Sequence, residues 1–192
     1  MASPSARSRR RADAERNIAS IVSAARTLMS SDPNATIDDI AQAAGVGRMT
    51  LYGHFRTRAD LVEAALMDAL RAGEETLSSL DLTGEARDAM TRLLASSWEL
   101  VAESAVLLSA AEAVLPAGRV RELHAEPARR MAELIGRGQE QGAFRTDLTA
   151  TWLVSLVHYI LHGAANEVRA GRLPAHDATN VVTKSVQAVL TG

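Results

Sequence analysis

Residues 46–55 read VGRMTLYGHF. This short run gathers a guanidinium (Arg48), a hydroxyl (Thr50), a phenol (Tyr52) and an imidazole (His54), in a chain with only two tyrosines and five histidines. No carboxylate or thiol stands within the run to complete an acid–base pair or an activated nucleophile. What the four groups share is hydrogen-bond donation. A row of such donors suits anionic oxygens, and phosphates above all.

The surrounding sequence supplies elements that can hold these groups in place. From about Asp13, the residues Ile18, Ile21, Val22, Ala25, Leu28 and Met29 form one apolar stripe of helical period, closed by Ser31-Asp32-Pro33-Asn34. Thr36, with Asp39 three positions on, is an N-cap signal for a short second helix with Ile37, Ile40, Ala41 and Ala44 inward. Gly45 ends it with the positive φ that glycine adopts freely. A third helix at about 47–54 turns Leu51 and Phe55 inward, leaving Arg48, Met49, Thr50, Tyr52 and His54 around its outer face. Two short helices joined by a tight glycine turn and packed on a longer one make a helix-turn-helix unit. Such a surface reads a DNA major groove, and the start of the second helix at Thr36 offers free amide donors to a phosphate.

Charge distribution agrees. Residues 1–60 carry nine arginines against six acidic residues, whereas residues 61–192 carry twelve basic against seventeen acidic. The net charge of −2 therefore hides a basic N-terminal third. Residues 1–11 read as a mobile basic arm whose Arg7, Arg9, Arg10 and Arg11 can enter a minor groove or simply solubilise the chain. With no cysteine there is no disulfide, thiolate metal site or cysteine nucleophile. No run of about eighteen apolar residues and no secretory pattern is present, so the expectation is a soluble, cytoplasmic protein without membrane contact. No nucleophile elbow or Gly-rich phosphate loop is visible, and neither an enzyme nor a cofactor is expected.

The run TIDDIAQAAGVGRMTLYGHFRTRADLVEAAL, at 36–66, resembles the DNA-binding domain of the TetR family of bacterial transcriptional regulators. The matching features are Thr36, Asp39-Ile40-Ala41, Ala44-Gly45-Val46, Thr50-Leu51-Tyr52, His54-Phe55 and Arg58 ahead of Leu61. The resemblance implies that Thr36, Tyr52, His54 and Arg58 contact phosphates, while Arg48, Met49 and Thr50 face base edges or the adjacent backbone. Gly47 departs from the serine common in the family, and Met49 from a small residue. Met49 then offers an apolar contact to a thymine methyl. The organisation implied is all-α with about nine helices: an arm (1–11), a three-helix DNA-binding domain (12–57), and a ligand-binding and dimerisation bundle (58–192). Helix four, at about 58–78, is the linker.

Beyond that linker the pattern gives helices at 84–103, 104–115 and 119–141, the last with Pro127 as a kink or in its first turn. A strongly apolar helix follows to about Arg169, capped by Asp147 or Thr149, and Pro174 opens a final one with Val181, Val182, Val186, Val189 and Leu190 inward. Trp152, Leu153, Leu156, Val157, Ile160 and Leu161 cover more than one face, so burial on two sides is expected, through a homodimer formed by the last two helices with a stripe from Val182, Val186 and Val189. Trp98, Met131, His158 and His162 are the candidate lining of a pocket for a mainly apolar small-molecule effector. His158 and His162 stand at i, i+4 without a completing acid, so no metal is expected. The functional expectation is an operator-binding homodimeric repressor released by its ligand. The alternatives are a transcriptional activator, or a helical interaction or small-molecule-binding module without DNA binding.

Overall fold

A computed structural model describes residues 4–192 and shows nine helices and no strand among them. The first helix, α1 (Pro4–Ser31), begins well before the expected Asp13. Of the expected arm, residues 1–3 and all side chains through position 10 lie outside the described residues. The chain divides into two compact units, one of residues 1–70 with 106–120, the other of residues 71–105 with 121–192.

In the first unit, α1 packs on α2 (Ile37–Ala43), which packs on α3 (Arg48–His54) and is followed by the start of α4 (Arg58–Leu77). Ile21, Ala25, Met29, Ile40, Leu51, Leu61 and Val62 are fully buried here, as the helical stripes require. Arg26 of α1 pairs with Asp68 of α4 at 3.0 Å. The end of α5 contributes the buried Leu107 and Ala111 to the same unit.

α5 (Ala86–Val114) is one helix of 29 residues, not the expected two. Neither proline nor glycine interrupts it, and Ala, Leu and Glu propagate a helix across 103–104. Ser104 sends its hydroxyl back to the Leu100 carbonyl at 2.6 Å without breaking the run. An eighteen-residue window of α5 reaches a mean hydropathy of 1.3, enough by length and composition to cross a membrane, yet half of that window is buried inside the fold. That burial fits a core helix.

The expected helix at 119–141 is also corrected, into α6 (Arg119–Leu123) and α7 (Ala125–Glu140). Pro127 explains the break, because its ring would clash with the carbonyl four residues back. It sits instead in the first turn of α7, where an amide hydrogen has no helical partner. α8 (Ala150–Arg169), capped by Thr149, lies against both α7 and α9 (Ala175–Thr191). The core of this second unit is built from Met90, Leu94, Trp98, Ile135, Leu153, Val157, Val182 and Val186 with their neighbours. The C-terminal end of α7 is locked to the start of α5, since the Gln141 side chain accepts the Ala86 amide at 2.8 Å.

One expectation about α9 reverses. Val182 and Val186 are fully buried in the chain's own core and the half-buried Val189 packs against it, so most of that stripe is already covered within the chain. Val181, expected inward, is 40% exposed; the other exposed large apolar side chains of the last two helices are Trp152 (49%) and Tyr159 (68%). Periodicity locates an apolar face but does not say whether the same chain or another covers it.

Candidate nucleic-acid interface

Local chemistry sets the helix-turn-helix. Thr36 is the N-cap of α2 in an extended conformation, and the reciprocal capping box with Asp39 is complete. The Asp39 amide donates to Thr36 Oγ1 at 3.2 Å, while the Asp39 carboxylate accepts from the Thr36 amide at 2.9 Å and hydroxyl at 2.6 Å. These hydrogen bonds from Thr36, side chain first and amide second, hold the Asp39 carboxyl below its usual pKa. At the other end Gly45 has φ of 68°. Its amide donates to Gln42 O and the Val46 amide to Ala41 O, the paired bonds of a Schellman turn. That turn reverses the chain so that α3 lies across α2.

α3 presents the residues singled out in the sequence as follows. Met49 is 83% exposed, an unusual position for a large thioether without a partner. Arg48 and Tyr52 are exposed beside it, and Thr50 and His54 are half-buried. Leu51 is the fully buried anchor of the helix. Gly47 caps α3 in an extended conformation with no side-chain hydrogen bond. A Cβ there would meet nothing nearer than Thr50 Oγ1 at 3.9 Å, so the site has room for the hydroxyl it lacks.

Arg58 does something its sequence position does not suggest. Its guanidinium donates to the carbonyls of Ala35 (2.7 Å) and Pro33 (2.5 Å), pinning the turn just ahead of Thr36. Two of its nitrogens are thus engaged within the protein, in addition to any phosphate it meets. A second capping box, Thr57 with Asp60, starts α4 at the same point: the Thr57 amide donates to the carboxylate at 2.9 Å and the Asp60 amide to the hydroxyl at 3.1 Å. Sequence reasoning also missed Asp38, whose carboxylate lies 2.7 Å from Arg48 Nη1. No signal in the residue pattern marks a pair ten positions apart across a turn.

The candidate ligand residues belong to the second unit. Trp98 is buried in its core and Met131 packs against that core. His158 and His162 stack with ring centroids 5.7 Å apart, and His124, between α6 and α7, adds an edge-on contact to His158 at 5.9 Å. No metal-holding group of three or more such residues forms among the described residues. Burial pushes the His162 imidazole down to about 4, helped by repulsion from His158 and His124, and burial likewise lowers His158.

A prediction follows from the sign of that shift. The unfolded chain takes up the His162 proton near pH 6.5 and the fold resists it until about 4, so its contribution is complete above 6.5 and lost as pH falls through that window. The expected loss is on the order of 1–2 kcal/mol after allowing for solvent screening at a partly exposed site. His162→Gln should flatten the fall in melting temperature between these limits, and an unchanged slope would show that other groups cause it.

Comparison with known proteins covers the same segment. Residues 21–65, from the middle of α1 into α4, match the profile of bacterial regulatory proteins of the TetR family. The chain is 27% identical over 157 residues to the HTH-type transcriptional regulator NfxB of Pseudomonas aeruginosa, covering 78% of this chain and 81% of that protein. It is 34% identical over 97 residues, half of each chain, to the HTH-type transcriptional repressor LfrR of Mycolicibacterium smegmatis. The solved structure of LfrR in complex with proflavine has the same fold, with a TM-score of 0.73 at 20% identity over 93% of this chain and 98% of that one. A helix-turn-helix with capped ends, the profile match across it and two regulator relatives carry one conclusion: residues 21–65 lie in a DNA-binding domain of the TetR family type, and the chain is a DNA-binding transcriptional regulator, not an enzyme.

Proposed function

We propose that the protein is a repressor that binds its operator as a homodimer and is released by a small, mainly apolar ligand. The observation that carries the dimer is the exposure of three large apolar groups on the last two helices, Trp152, Tyr159 and Val181, which a monomer leaves in water. A two-fold contact through α8 and α9 buries them, and a symmetric dimer sets two recognition helices about 34 Å apart, one per major-groove turn. Release by ligand is supported by the relative LfrR, a named repressor whose structure holds proflavine. The stacked His158 and His162 offer aromatic faces suited to a planar ligand, in the same unit whose core holds Trp98. Within the first unit, Arg119 donates through Nε (3.0 Å) and Nη2 (2.5 Å) to Glu63 Oε1, which ties the start of α6 to α4. Movement at α6 therefore reaches the helix that carries Arg58.

The test is fluorescence anisotropy on the promoter region beside the protein's own gene, titrated with proflavine as the probe. Wild type should bind, and the probe should weaken binding by about 5- to 150-fold, the coupling of roughly 1–3 kcal/mol usual for such switches. In the same range it should raise the melting temperature by mass action. Thermal stabilisation without DNA release would show a binding site that is not a switch, and tighter DNA binding with ligand would make the protein ligand-activated.

A further inference from the structure

Asp38 and Asp39 are adjacent carboxylates at the start of α2, and they have different employment. Asp39 is committed to the cap, accepting from both the amide and the hydroxyl of Thr36. Asp38 takes no part in the cap; its recorded partner is Arg48, the first residue of α3, through Nη1 at 2.7 Å. On its other side the Arg48 guanidinium lies over the Tyr52 ring, 5.5 Å from its centroid. The base-reading candidate is therefore held between a carboxylate and an aromatic face.

Both members of the ion pair are about 60% exposed, 59% for Arg48 and 61% for Asp38, so the pair adds little to folding stability. A carboxylate beside the recognition helix also repels the phosphates that supply most of the affinity for any DNA sequence. We propose that Asp38 is a specificity-determining residue that holds Arg48 in place for guanine and denies it to phosphate. A guanidinium has five N–H donors, and Asp38 engages one end of the fork. The remaining donors suit the O6 and N7 acceptors of a guanine edge. On a sequence without that edge, a phosphate contact by Arg48 brings a second anion beside the Asp38 carboxylate, whereas a neutral guanine edge does not, so Asp38 weakens binding to wrong sequences more than to the right one. This rests on the assignment of Arg48 to a base.

The experiment is a double-mutant cycle in the full-length protein: wild type, Asp38→Asn, Arg48→Ala and the double variant, each titrated on the operator and on a scrambled duplex of equal length. Asp38→Asn should bind the scrambled duplex about fivefold more tightly while operator affinity changes less than twofold, a discrimination loss at the low end of one base contact. That loss should vanish in the Arg48→Ala background, and Asp38→Glu should retain the discrimination of wild type. Circular dichroism confirms that each variant keeps its helices. Equal tightening on both duplexes, with or without Arg48, would show that Asp38 acts only as a negative charge and overturns the proposal. The base-reading assignment fails separately, in the single variant, if Arg48→Ala weakens both duplexes equally.

Discussion

Replacing Gly138 with alanine is expected to destabilise the second unit by at least about 1–3 kcal/mol, the usual cost of an extra group in a filled core. The ring of Phe144, itself only 3% exposed, lies directly on the glycine. A Cβ there would stand 2.0 Å from Cδ2 and 2.4 Å from Cε2 of the ring, far inside contact distance. The ring cannot retreat freely, because the Gly138 carbonyl accepts the amides of both Ala143 (2.9 Å) and Phe144 (3.0 Å), which fixes the corner after α7. Calorimetry should show a melting point lower by roughly 3–10 °C for a chain of this size. Adding Phe144→Leu should recover part of the loss, since the two changes share one contact. A Gly138→Ala protein melting with wild type would mean that the corner relaxes without cost.

The second large effect separates the core from the proposed dimer surface by the same substitution at two sites. Val186→Asp places a carboxylate where no solvent reaches, in an apolar core, at a cost of several kcal/mol. That is a large share of the roughly 5–15 kcal/mol that holds a domain folded, so loss of helical circular dichroism is expected. Tyr159→Asp, at a position 68% exposed, should leave helix content and melting within about 0.5 kcal/mol of wild type for the isolated chain. It should nevertheless sediment as a monomer and lose operator binding, because one head makes half the contacts. A Tyr159→Asp protein that stays dimeric and binds DNA would place the interface elsewhere.

What the sequence revealed and what it hid divide along one physical line. Signals that act within a few residues were readable: the Thr36–Asp39 box, the Gly45 turn and the buried faces of α1 and α2. Partnerships across turns and between helices were not. Arg58 reaches carbonyls 23 and 25 positions away, and main-chain acceptors leave no trace in residue type. His124 joins His158 from the turn between α6 and α7, and Asp38 meets Arg48 across the glycine turn. The sequence pattern divides the unbroken α5 into two helices meeting at 103–104, where neither glycine nor proline stands to end one.

The grip of Arg58 on the turn before α2 has a consequence for how such a protein diverges. Its acceptors are the peptide oxygens of Pro33 and Ala35, which every amino acid supplies. Lineages can therefore exchange side chains across residues 33–35 with the brace intact, whereas a single inserted or deleted residue would move both oxygens out of reach. The turn is permissive in spelling and strict in length. Natural variation there should record itself as substitutions without gaps, alongside an arginine or a comparable donor kept at the head of α4.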